Sequence, residues 1–186
     1  MKKFILTDET IEMFGVTLHR IKAVRSFGNV KEGDLGGFVE KEENISENFK
    51  AWVYGNAKVW GNAKVCGDAK VWGNAKVCGD AEVCGDAKVC GDAEVWGNAE
   101  VCGDAKVCGD AKVWGNADYI VFKNWWSSGR YFTWTRSNNM WSVGCFYGTG
   151  EELIKKAYQD SEKSGREYER VVKFVQSILE DEKNEK

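Results

Sequence analysis

The side chains able to do chemistry in this 186-residue sequence are few: one histidine, His19, and seven cysteines at positions 66, 78, 84, 90, 102, 108 and 145. A histidine acting as general base needs a placed partner and a site around it. His19 falls in an expected N-terminal hairpin with no companion, and a zinc site built from several histidines cannot be assembled from one. Cys66, Cys84 and Cys102 recur at a fixed spacing, every third unit of a repeated phrase. On stacked coils their Cα atoms would lie ~4.8 Å apart, inside the span a disulfide bridges. Parallel side chains in strand register nevertheless argue against bridging. No CxxC spacing supports a soft metal. The expectation is therefore free thiols acting as small, semi-apolar surface residues, with no catalytic, cofactor or metal residue.

The elements that position these residues follow from that phrase. From Gly55 to Trp114 the unit Gly-(Asn/Asp)-Ala-(Lys/Glu)-Val-(Trp/Cys) repeats without a break and begins once more at Gly115. Alternation of Ala and Val with Lys/Glu and Trp/Cys is strand periodicity. Gly-Asn and Gly-Asp tolerate left-handed backbone and make corners, and Gly at every sixth position opposes helix. Three strands and three corners would close an 18-residue coil around a column of Val and Ala. A two-sided coil that closes after two units is the alternative, less suited to a corner-strand unit of this length.

The 18-residue period assigns outward ladders: Trp60, Cys78, Trp96 and Trp114; Cys66, Cys84, Cys102 and Ile120; Tyr54, Trp72, Cys90 and Cys108. Charges stack beside them, with Lys70, Lys88 and Lys106 on one face and Lys64, Glu82, Glu100 and Asp118 on another. Every aromatic of the repeat precedes Gly-Asn and every cysteine precedes Gly-Asp, a linkage that block duplication of two unit versions explains.

The units resemble those of hexapeptide-repeat proteins, which are left-handed β-helices with triangular coils. The flanks carry a second resemblance. RIKAVRSFGNVKEGDLGGFVEKEENIS followed by AWVYGNAKV, and VGCFYGTGEELIKKAY followed by GREYERVVKFV, are similar to the ends of a family of bacterial and phage hexapeptide-repeat proteins of unestablished activity, often labelled transferases on the repeat alone. The implied fold is an all-β solenoid over 28–117, with an N-terminal β-hairpin cap over 1–27 and a C-terminal α+β cap over 118–186. In the N-terminal cap, strands are expected at Phe4–Leu6, Ile11–Phe14 and Thr17–Val24 around Gly15; in the solenoid segment that follows, Val39 and Ile45 are expected as the first inward positions of an imperfect coil. In the C-terminal cap, three antiparallel strands are expected at 118–126, 131–136 and 140–147. Two helices should follow, opened by capping boxes at Thr149–Glu152 and Ser164–Glu167, the second with Tyr168, Val171, Val175 and Ile178 on one face.

Composition narrows function. Net charge is −3, from 26 bases and 29 acids, which disfavours a nucleic-acid binder. No apolar run approaches the ~18 residues that span a membrane, and the opening MKKFILTDET has too short an apolar run for a signal peptide; a cytoplasmic protein is expected. The repeats contain no threonine ladder for ice binding. Contiguous exposed aromatic patches mark interfaces, so Trp60, Trp96 and Trp114, with Trp72 on a neighbouring face, are the candidate contact surface. A second candidate surface is the C-terminal sheet with Trp125, Trp126, Arg130 and Trp134, whose aromatics and arginine can stack on ligands. Alternation puts Phe132 and Trp134 together on the face expected to pack under the helices. The functional expectation is a non-enzymatic binding solenoid of phage or mobile-element origin that self-associates as a dimer or trimer. The alternatives are a phage inhibitor of a host defence protein and, third, a hexapeptide acyltransferase.

Overall fold

The computed structural model describes residues 2–184; residues 1, 185 and 186, at the outer bounds of the two expected caps, lie outside the described residues. From Trp52 to Val113 every unit contributes a two-residue strand, Lys-Val, Glu-Val or, at the start, Trp-Val. Each strand before the last coil pairs in parallel with the strand three units further on: Lys70 with Lys88 and Lys88 with Lys106, Glu82 with Glu100, Glu94 with Lys112. Three ladders result, so each coil is built from three strands and the two-sided coil is excluded. The solenoid makes about 4 turns.

The interior is the expected column. Val59, Val65, Val71 and their successors through Val113 are fully buried, as are Ala57, Ala63 and the alanines that follow them. Each buried Val contributes ~1.5–3 kcal/mol of transfer free energy. The corner glycines from Gly55 to Gly109 all adopt φ between +59° and +76°. Left-handed backbone there turns the chain between faces at no Cβ cost.

The N-terminal cap extends one face. Phe4–Met13 and Val16–Ala23 form an antiparallel hairpin turned at Phe14–Gly15, and Val16–Ala23 pairs with Leu35–Val39. The last of these then pairs in parallel with Lys58–Val59, placing Val39 on Val59, while Ile45 bridges Val65. Both are buried, as the inward pattern predicts. The hairpin strand is longer than expected, since Phe4–Leu6 and Ile11–Met13 are one strand interrupted by an irregularity between Leu6 and Thr10.

The solenoid stops one unit before the repeat count suggests. Asp118 and Ile120 do not join the ladders; Asn116–Asp118 forms a short 3-10 turn and Tyr119–Lys123 begins a new sheet. The reason is size. Continuing the unit would put Tyr119 in the inward Val slot, where the column from Ala57 to Val113 holds only Val and Ala. Asp118 instead turns back, its Oδ2 accepting the N–H groups of Trp114 and Gly115 at 2.7 and 3.0 Å.

The C-terminal cap has four strands rather than three: Tyr119–Lys123, Tyr131–Thr135, Met140–Val143 and Phe146–Gly148, all antiparallel. Gly144, at φ +57°, folds the expected third strand into a hairpin that pairs Val143 with Phe146. Helices α1 (Gly150–Asp160) and α2 (Glu162–Asn184) follow. Thr149 and Glu152 form the expected capping box. The second box does not form at Ser164: α2 starts at Glu162, and Ser161 Oγ accepts the Ser164 N–H at 3.1 Å, leaving Ser164 inside the first turn. Tyr168, Val171, Val172 and Val175 are buried with Phe132, Trp134 and Trp141 in a second core. Ile178, expected on this face, is only half-buried.

Candidate functional site

One outward ladder carries the aromatic strip. The strand-to-corner geometry repeats every coil, so Trp60, Cys78, Trp96 and Trp114 fall in line along the solenoid. The Trp96 and Trp114 rings lie 6.2 Å apart, tilted by 30°. Trp60 and Trp96 are partly buried, while Trp114 at the end of the row is 59% exposed. Phe14 extends the row at the other end: it is 80% exposed, and its ring stands 6.2 Å from Trp60. Sequence reasoning misses it as a site residue because it belongs to the hairpin turn, at φ +52°. The only signal for it is a large apolar residue beside a turn glycine. The strip thus runs from the hairpin tip to the last coil, beside the charges Lys58, Lys76, Glu94 and Lys112 of the same ladder sheet. Lys76 and Glu94 pair at 2.9 Å, and burial followed by the Lys76 charge pulls the Lys58 pKa below the usual lysine range.

The remaining candidate residues do not converge. Trp72 is partly buried on another ladder, over a cleft that also meets Arg130. Trp134 is fully buried beneath the helices, its Nε1–H donated to Asn139 Oδ1 at 2.8 Å, so it is structural. Trp126 packs edge-on against Tyr168 and Phe132 at 4.9 and 6.2 Å, at the margin of that same core. Trp125 is 69% exposed beside Trp126. The opposite face of the sheet, with Thr133 and Thr135, is also buried, against the open end of the solenoid.

The cysteines differ from expectation. Cys84–Cys102 and Cys90–Cys108 are disulfide-bonded, each with Cα atoms 4.6 Å apart. Stacking in parallel register, expected to discourage bridging, instead brings the two sulfurs of successive coils together. Cys66, Cys78 and Cys145 are free thiols. Cys66, Glu82 and Cys84 bring three potential ligand atoms within 4.8 Å of one another. Cys84 is committed to its disulfide, however, and burial together with a 3.2 Å hydrogen bond to Glu82 pushes the Cys66 thiol up to about 11. Both features oppose the thiolate a soft metal requires.

His19 lies on the strand Val16–Ala23, opposite Val39, with Nδ1 3.2 Å from the Thr7 carbonyl oxygen. It lines neither the Trp strip nor the cleft beneath Trp72. Along the corners, Asn62 donates to Asp80 and Asn74 to Asp92, each at 3.0 Å. An Asn above an Asp thereby replaces carboxylate repulsion by a hydrogen bond, a physical use for the two unit versions whatever their origin.

Fold and surface together define a capped β-solenoid protein with an aromatic strip along one face. Compared with protein-family models and with curated proteins, the chain matches none. No helix among the described residues is long and apolar enough to cross a membrane.

Proposed function

We propose that the protein is a non-enzymatic binding solenoid that associates with itself through the strip Phe14, Trp60, Trp96 and Trp114. The observation that supports this reading is the alignment of two ring pairs on one face, Phe14 with Trp60 and Trp96 with Trp114, with Cys78 between them and strongly exposed rings at both extremes. Trp is enriched among the residues that dominate interface energy, and rings held by a rigid scaffold lose little entropy on docking. The non-enzymatic part rests on His19, which sits in the hairpin with Nδ1 against the Thr7 carbonyl, away from both the aromatic strip and the cleft by Trp72. Membership of the phage and mobile-element hexapeptide-repeat family that the flanks resemble, with its left-handed coil, belongs to the same reading. So does a cytoplasmic location. There the disulfide Cys90–Cys108 would depend on its burial, since both cysteines are less than a tenth exposed and cytosolic reductants attack accessible bridges first.

Light scattering coupled to gel filtration tests the proposal. The wild-type chain is expected to run as a dimer or trimer at tens of micromolar, and Trp114→Asp as a monomer with an unchanged melting curve. Trp125→Asp, exposed but off the strip, should leave the oligomer intact. A monomeric wild type overturns the proposal, and if it is recovered from lysate in a defined complex with a host protein, the inhibitor reading takes its place.

A further inference from the structure

The ladder Lys70, Lys88, Lys106 is the one place in the solenoid where three lysines stand in direct register without a break. Like charges opposite one another on neighbouring strands are destabilising. In the other two ladders a glutamate relieves them: Glu94 follows Lys76, and Glu82 follows Lys64. The same slot therefore accepts glutamate without disturbing the fold, yet this ladder keeps its cations.

Above this ladder lies a cleft of about 980 Å³, at the upper end of the ~300–1,000 Å³ typical of small-molecule sites. The three lysines line it from the solenoid. Tyr54 and Trp72, on the adjoining ladder one coil apart, supply ring surface, and Arg130 and Tyr131 enter from the C-terminal sheet. The Lys70 and Lys88 ammonium groups and the Arg130 guanidinium have no ion pair or hydrogen bond among the described residues, whereas Lys50 and Lys76 elsewhere are paired. Lys106 donates to the Gly144 carbonyl at 2.9 Å. One ring face of Tyr131 carries Lys123 at 5.5 Å. The single carboxylate among the lining residues is Asp104; Asp86 and Asp68 run beside the ladder outside the cleft, Asp68 already bound to Lys50 at 3.0 Å.

We propose that this cleft binds a nucleotide, with the phosphates along Lys70, Lys88 and Lys106 under Arg130 and the base against the Trp72 and Tyr54 rings. Lysines repeating every ~4.8 Å present a row of donors to a polyphosphate chain, and a guanidinium adds bidentate contacts to phosphate oxygens. Aromatic faces receive a base by stacking. Burial, then the neighbouring Lys88, depresses the Lys106 pKa. A bound anion would offset that penalty by its charge.

Calorimetric titration with ATP, GTP, CTP and UTP, with tripolyphosphate and adenosine as partial ligands, tests this. At least one nucleotide should bind at least tenfold tighter than tripolyphosphate, and adenosine should be weaker than either. Lys88→Glu, a substitution the slot tolerates elsewhere, should weaken nucleotide binding at least tenfold at unchanged melting temperature. Lys112→Glu, in the same slot on another face, should leave it unchanged. The proposal is overturned by no binding of any of the four, by tripolyphosphate binding as tightly as the best nucleotide, or by equal losses in both variants. A short oligothymidylate binding tighter than every mononucleotide overturns it in favour of single-stranded nucleic acid.

Discussion

The Thr133 hydroxyl accepts the Lys106 backbone N–H at 2.9 Å, and this joins the C-terminal sheet to the last coil. Within the solenoid each such N–H is taken by a carbonyl one coil on, as Lys88 by Ala105. The last coil has no next coil, so side-chain oxygens stand in: Asn116 for Glu100, Thr133 for Lys106 and Ser137 for Lys112, at 2.8, 2.9 and 2.7 Å. The first coils show the mirror arrangement. Lys3 Nζ donates to the Ala51 carbonyl and Asn44 Nδ2 to the Ala63 carbonyl, at 3.0 and 2.8 Å. Replacing Thr133 by Val leaves one edge N–H unpaired and should destabilise the protein by ~1–3 kcal/mol, with Ser restoring most of it. Chemical denaturation checks this, and a Val variant as stable as wild type would mean the hydroxyl is dispensable.

A larger intervention tests the same idea. Removing residues 118–186 uncovers two of the three edge donors at once, those of Lys106 and Lys112, and removes the nonrepetitive end that marks register. Since a one-unit slip leaves the Val/Ala interior nearly unchanged, register inside the repeat is weakly specified. The truncated chain should aggregate or give heterogeneous species in analytical ultracentrifugation. A soluble, sharply melting monomer would show that the repeat sets its own register.

The solenoid is legible in the sequence because periodicity dictates it: pattern alone places Val39 and Ile45 inward. Legibility ends where the pattern does. The end of the last coil depends on a volume test at Tyr119, which counting units by their Gly-Asn corners does not apply. The fourth strand turns on Gly144, a glycine inside an otherwise strand-like run, which is a readable breaker. The second helix start is a choice between Ser161 and Ser164, both able to cap, which local spacing does not decide. At the surfaces, the Trp strip follows from the 18-residue period. The cleft over Lys88 does not, because Arg130 and Tyr131 reach it only through the packing of the C-terminal sheet.

Gly85 and Gly33 separate two roles of glycine. Both have left-handed backbone, at φ +66° and +90°. A Cβ on Gly33 meets nothing within 4 Å, whereas on Gly85 it falls 2.9 Å from the Gly103 nitrogen in the next coil. Gly33→Ala should cost only the conformational term, ~1–2 kcal/mol. Gly85→Ala should cost visibly more, because backbone rather than a movable side chain blocks it. Equal losses in parallel thermal melts would show that coil spacing yields easily.

Thiol counting tests the cysteine assignment. Unfolded without reductant, the chain should take up alkylating reagent at Cys66, Cys78 and Cys145 only, and at all seven cysteines after reduction. In the folded protein at pH 8, exposed Cys145 should react first. Burial raises the Cys66 and Cys78 pKa values, Cys66 to about 11 with help from Glu82, and the thiolate is the reactive form. The Cys66 rate should therefore still rise about tenfold per pH unit at pH 9 to 10. Peptide mass mapping reads each site, and seven reactive thiols without reductant would remove both disulfides.

Lys3 gives a pH signature of the N-terminal cap. It is fully buried, its Nζ donating to the carbonyls of Ser46 and Ala51, and burial lowers its pKa to about 8 although Glu47 opposes the shift. Below that value the lysine is protonated in folded and unfolded chains alike, so its contribution is constant. Between about 8 and the ordinary lysine value of ~10.4, the unfolded chain holds a proton that the folded chain has released. The Lys3 contribution to unfolding free energy then rises with pH in that window. Cys66 works in the opposite direction from about pH 9, since its thiol ionises first in the unfolded chain. The difference between wild type and Lys3→Met cancels that term, as Cys66 is common to both. Denaturant midpoints from pH 7 to 10 should show the wild type gaining on the variant above pH 8. A difference that stays flat would mean that Lys3 keeps its charge when folded, held by Glu47 and the two carbonyls against the cost of burial.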